Sequence, residues 1–126
     1  MALYEKIKLY LEANSRAWDD SKVTLQNDSD GDYIKTWNIE GLNKPTDVEL
    51  DAYEDIANFN IAINNLRIER NQLLAETDWT VLTDVPLTPT EKSIMMNYRS
   101  NLRNITQGLK TVEDVEAVVL PGIPVL

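Results

Sequence analysis

Two threonine-led signals, Thr46-Asp47-Val48-Glu49 and Thr88-Pro89-Thr90-Glu91, constrain the fold more than anything else in the chain. In each, the Thr hydroxyl can accept from the Glu backbone N–H while the Glu carboxylate reaches back to the Thr N–H, the reciprocal arrangement that starts a helix. Pro89 falls at the first helical position, where a missing N–H does no harm. No Gly or Pro interrupts the sequence from the first signal to Glu76. The pattern therefore predicts a long helix, and thirty residues would span about 45 Å at 1.5 Å per residue. Asn58, Asn60, Asn64, Asn65 and Asn71 lower its intrinsic propensity. It must depend on packing, and a bend or break is expected near Asn58–Asn60.

Along this helix Ile56, Phe59, Ile63, Leu66, Arg70 and Leu73 follow alternating spacings of three and four, a coiled-coil-like seam with one polar position at Arg70. Thr77 to Leu87, rich in Thr and Asp and containing Pro86, reads as a connector. Beyond it, Met95, Tyr98, Leu102 and Ile105 form one apolar stripe, with Gly108 as the expected C-terminal cap. An antiparallel αα-hairpin results, with Leu66 and Leu73 facing Leu102 and Tyr98.

Upstream, Leu3, Tyr4, Ile7, Tyr10 and Leu11 share a face of a short helix that stops at Asn14-Ser15. Lys22–Gln26 and Tyr33–Ile39 read as strands joined by the turn-forming Asn27–Asp32. Simple alternation places Tyr33, Lys35 and Trp37 on one face and Ile34, Thr36 and Asn38 on the other. Near the C-terminus a helix is expected over Thr111–Ala117, followed by an uncharged apolar stretch, 118–126, with Pro121 and Pro124. Such a tail is either the last piece of the core or a peptide offered to another chain. The fold class is α+β, mainly α. Its segments are 1–44 (helix plus β-hairpin), 45–108 (helical hairpin) and 109–126 (short helix and extended tail).

Composition excludes several chemistries. The chain has no His and no Cys, so a nucleophile would have to be activated by Lys or carboxylate alone. No Gly-rich phosphate loop is present, and an enzyme is not expected. Asp28, Asp30 and Asp32 around Gly31 invite a calcium reading, but with Gly31 as the sixth loop position the first and last ligand positions fall on Gln26 and Trp37. A hairpin turn whose Asp side chains bond their own backbone fits better, and neither metal nor cofactor is expected. A net charge of −9 opposes affinity for nucleic acid and for anionic membranes. No apolar run is long enough for a membrane span or a signal core, so the product is expected to stay soluble where it is made.

What remains is contact with another polypeptide. Arg67 with Arg70 and Arg99 with Arg103 stand at helical spacings and present forked donors. They either pair internally with Glu76, Asp78 or Asp84, pinning the connector, or face a partner. Trp79, just after a polar helix end, reads as a core plug over the hairpin, with an interface anchor as the alternative. The candidate partner-binding residues are Ile56, Phe59, Ile63, Arg67, Arg70, Trp79, Tyr98, Arg99, Arg103, Pro121, Ile123 and Pro124. The 47–76 helix also offers a route to a homo-oligomer.

Two segments resemble known families. Arg67, Arg70, Asn71, Leu73, Leu74, Ala75, Thr77, Asp78 and Trp79, followed by Asp84, Glu91, Tyr98, Arg99, Leu102, Arg103 and Ile105, resemble the signature of phage tail assembly chaperone proteins. Met95, Ser100 and Asn104 stand where that pattern usually has Trp, Gln and Asp. Over residues 1–50, Leu3, Tyr4, Ile7 and Tyr10, then Leu25, Asn27, Asp28, Gly31, Tyr33, Ile34, Lys35, Trp37, Asn38, Pro45, Thr46, Glu49 and Leu50 are similar to the phage tail-region family XkdW, with Ser29 at the first Gly position of its loop. These resemblances imply a protein that binds a phage tail or tail-fibre protein non-covalently during assembly in the host cytoplasm. The alternative they leave is a structural component retained, as an oligomer, in the virion tail.

Overall fold

A computed structural model describes residues 2–126. Its elements run α1 (Leu3–Ala13), β1 (Val23–Asn27), β2 (Asp32–Trp37), α2 (Asp47–Asp51), α3 (Glu54–Thr77), a 3₁₀ turn (Asp78–Val81), α4 (Pro89–Arg103) and α5 (Val112–Glu116). The fold is α+β and mainly α, as expected. Contacts divide it into two compact units, one up to Ile61 and one from Ala62. The division falls inside α3.

In the first unit, Ile7, Tyr10 and Leu11 of α1 bury against Leu50 of α2, with Leu25, Ile34, Trp37 and Trp18 packed around them. Tyr4 is not part of this face: it is exposed and lies against Trp18, with ring centroids 4.7 Å apart. The helix stops where expected, by a Schellman motif in which Ser15 N–H bonds Glu12 O at 3.1 Å and Arg16 N–H bonds Leu11 O at 2.8 Å. Ser15 takes the left-handed conformation that this motif needs, with φ 58°. Tyr10 then donates its hydroxyl to Asn43 O at 2.9 Å, and Trp37 donates its indole N–H to Leu42 O at 2.9 Å, fixing the loop that leads into α2.

The strands pair antiparallel, but not with the regular alternation expected. Thr24 pairs with Thr36 and Leu25 with Ile34, leaving Lys35 as the extra residue of a bulge. One inserted residue reverses the parity of the strand, so Ile34 and Trp37 both reach the core while Tyr33 is exposed. In the turn, Asn27 Oδ1 accepts from Ser29 N–H at 2.9 Å. Asp28 and Asp32 bond side chains of the hairpin rather than its backbone: Tyr33 OH donates to Asp28 at 2.6 Å, and Asn27 Nδ2 to Asp32 at 2.9 Å.

The capping box at Thr46 forms with both of its hydrogen bonds, but the helix it starts is short. It breaks after Asp51, well before Asn58–Asn60, because Tyr53 N–H turns back to Leu50 O at 3.0 Å in a tightened turn. That turn lets Leu50 and Tyr53 both contribute to the core. Packing, not asparagine content, locates the break. From Glu54 the helix is unbroken to Thr77, straight through Asn58–Asn65.

In the second unit, α4 begins at the expected box on Thr88 and α5 at a third box, Thr111 with Asp114. The α4 helix ends at Arg103, short of Gly108, with Asn104 at its end and a run of turns after it. Met95, Tyr98 and Leu102 bury against Leu73, Leu74 and Leu120. Leu73 packs on this cluster as expected, together with Leu74, whereas Leu66 is buried but does not belong to it.

Candidate partner-binding surface

The site is organised by Arg99. Its Nη1 donates to Leu74 O at 2.7 Å and to Thr77 Oγ1 at 2.8 Å, and its Nη2 to Asp78 Oδ1 at 2.8 Å. Thr77 in turn donates to Leu73 O at 2.9 Å, and Thr80 Oγ1 donates to Thr77 O at 2.7 Å. These contacts bond two of the carbonyls in the last turn of α3, where a helix has no intrahelical donors: Leu74 O and Thr77 O. They also hold the 3₁₀ turn against α4. Of the four arginines expected either to pin the connector or to meet a partner, Arg99 alone pins it. Arg70 bonds Asn71, while Arg67 and Arg103 make no ion pair among the described residues.

With Thr77 and Thr80 turned inward, the neighbouring side chains point out. Trp79 is 49% exposed, so it is not the expected core plug, and Val81 and Leu82 are exposed beside it. On α4, Met96 lies off the buried stripe and is exposed too. Between the turn and α4 runs a groove of about 340 Å³ whose lining includes Val81, Leu82, Lys92, Met95 and Met96. An adjoining recess of about 390 Å³ shares Val81 and Met96 and continues to Arg99, Ser100 and Arg103. Reasoning from the sequence missed Val81, Leu82, Lys92 and Met96. An apolar residue outside the periodic stripe, as Met96 is, was the available signal.

The other expected contact residues divide. Ile63, Tyr98 and Arg99 are buried in this chain's own packing. Tyr98 also donates its hydroxyl to Pro121 O at 3.0 Å, and burial, helped by the Glu76 carboxylate, pushes its ionisation upward. The tail is thus fixed at Leu120 and Pro121, while Ile123, Val125 and Leu126 are exposed and Pro124 is half-buried. On α3, Ile56 and Arg67 are exposed, and Phe59 and Arg70 are half-buried.

Exposed apolar side chains, Trp79, Val81, Leu82 and Met96, thus gather on the 3₁₀ turn, the residue after it and the neighbouring α4. Residues 63–125, half of the chain, match the family model of phage tail assembly chaperone proteins, and the chain belongs to that family. Residues 12–61 match the XkdW protein family, so most of α1 lies outside the match and the whole β-hairpin inside it. The two matches meet where the contacts divide the chain. No curated protein and no solved structure matches it. Its role lies in phage tail assembly.

Proposed function

We propose that the protein acts as a chaperone for a phage tail or tail-fibre protein, binding it non-covalently in the host cytoplasm and covering apolar surface until its subunits assemble. The observation that carries this reading is the group of exposed Trp79, Val81, Leu82 and Met96, all within the segment matched by the chaperone family. Clustered exposed apolar side chains of this kind mark interaction surfaces. The tail beyond Pro121 adds Ile123 and Val125 to the same supply.

Co-production with the tail or tail-fibre protein encoded beside it tests the reading. Soluble, correctly assembled partner should rise with the chain present and fall back when Val81 and Met96 are both changed to Ser. No difference between these arms removes the proposal. Exposed Ile56 and Ile68 on α3 support a second reading, a structural tail component that self-associates through this helix. Light scattering on the purified protein and mass spectrometry of virions separate the two: an oligomer found in mature particles favours the structural role.

A further inference from the structure

Charge sets the groove beside α4 apart from the rest of the molecule. Acidic residues outnumber basic ones by 21 to 12 in the chain, yet neither the groove nor the recess has a carboxylate in its lining. Both contain cations: Lys92 in the groove and Arg103 in the recess, where Arg99 is already paired with Asp78. Lys92, Met96, Arg99 and Arg103 follow one another at intervals of four, three and four within α4, so they lie on one face. Lys92 and Arg103 are eleven positions apart, about 16 Å along the axis. Neither enters an ion pair among the described residues. Arg99, 9% exposed, leaves its Nε N–H without an acceptor among them.

From this arrangement we infer that the groove takes an extended segment of the partner whose apolar side chain enters between Val81 and Met96 and whose flanking carboxylates meet Lys92 and Arg103. The inference rests on the partner-binding reading above and names the chemistry of what is bound. Acids four residues apart on an extended chain lie about 13 Å apart and share a face with the residue midway between them. Lys and Arg side chains are long enough to close the remaining distance. A second copy of this chain is a poor occupant, because two molecules of charge −9 repel. The cations set orientation and discriminate against basic segments, while the apolar pocket supplies the anchor.

The test uses the full chain and two capped synthetic peptides, Asp-Val-Leu-Val-Glu and the same sequence with Lys replacing both acids, followed by amide chemical-shift changes. The acidic peptide should perturb Val81, Met96 and Ser100 and bind at least about tenfold more tightly than the basic one. Lys92→Glu with Arg103→Glu should reverse the preference. Arg103 is exposed and Lys92 half-buried, and the milder Lys92→Gln and Arg103→Gln changes serve if the reversal disturbs folding. Equal binding of the two peptides, or shifts confined to other residues, overturns the inference. Co-production keeps the two proposals apart. If the charge-reversed protein still raises soluble partner as well as the unaltered chain, this inference fails and the chaperone reading stands; if the unaltered chain raises none, the chaperone reading fails.

Discussion

Arg99 and Asp78 meet at 2.8 Å with very unequal exposure: the Arg side chain is 11% exposed and the Asp side chain 66%. Most of the stabilisation therefore resides in the buried guanidinium and its bonds to Leu74 O and Thr77 Oγ1, since an ion pair open to water adds little. Arg99→Ala is expected to destabilise the protein by about 2–4 kcal/mol, leaving Leu74 O with Thr77 Oγ1, at 3.2 Å, as its only side-chain donor and removing the charged donor from Thr77 Oγ1. Asp78→Ala should cost no more than about 1 kcal/mol. Urea unfolding midpoints of the two variants check the order, and equal losses would contradict it.

Trp79 separates binding from folding. Because half of it faces solvent, Trp79→Ala should change stability by no more than about 1 kcal/mol while lowering the yield of soluble partner in co-production. A loss of several kcal/mol would make it a core residue.

Two serines occupy left-handed backbone, Ser15 at φ 58° and Ser29 at φ 79°. An L side chain is strained there by roughly 1–2 kcal/mol, partly offset by the extra freedom glycine has when unfolded. Ser15→Gly and Ser29→Gly are each expected to raise stability by about 0.5 kcal/mol, read as a higher unfolding midpoint. The resemblance to a loop with Gly at the position of Ser29 agrees with this backbone demand.

Tyr98→Phe removes the one side-chain hydrogen bond from α4 to Pro121 O. The expected cost is about 1 kcal/mol, with faster amide exchange and faster proteolysis confined to the segment after α5. Uniformly faster exchange across the second unit would show instead that the hydroxyl supports the core.

Acid should weaken the protein in a defined window. Asp114 is held below the usual carboxylate range chiefly by the Lys110 and Thr111 backbone N–H groups, and Asp28 chiefly by the Tyr33 hydroxyl. Groups lowered in the folded state take up protons later than in the unfolded chain. Their stabilisation is complete at neutral pH, starts to decline below about pH 4 and is lost as pH falls through the folded values. Thermal midpoints measured from pH 6 to pH 2 should fall along this course, and Asp114→Ala should flatten it.

Local hydrogen-bond logic was the most legible part of the chain. The boxes at Thr46 and Thr88 and the stop at Asn14-Ser15 all depend on residues within five positions of one another, and each formed. What failed depended on partners distant in sequence. The break at Asp51–Glu54 follows from where Leu50 and Tyr53 find the core, which no asparagine count reveals. The bulge at Lys35 is one residue in a ladder, and it moved Tyr33 out and Ile34 in. Among the candidate contact residues, Arg103 lines the recess and Trp79 stands exposed, while Tyr98 and Arg99 are buried; the acceptor Asp78 was legible from its charge, but Leu74 O and Pro121 O were not. The groove was hidden for a similar reason: Val81 and Leu82 lie in a segment without periodicity, and only the inward turn of Thr77 and Thr80 shows which way they point.

The continuity of α3 across Ile61 and Ala62 limits how this gene can be cut. Severing the chain at the seam between its two family matches would strip intrahelical acceptors from the amides of residues 62–65 and donors from the carbonyls of residues 58–61. Neither half would inherit a natural terminus there, so each would fray at the new end.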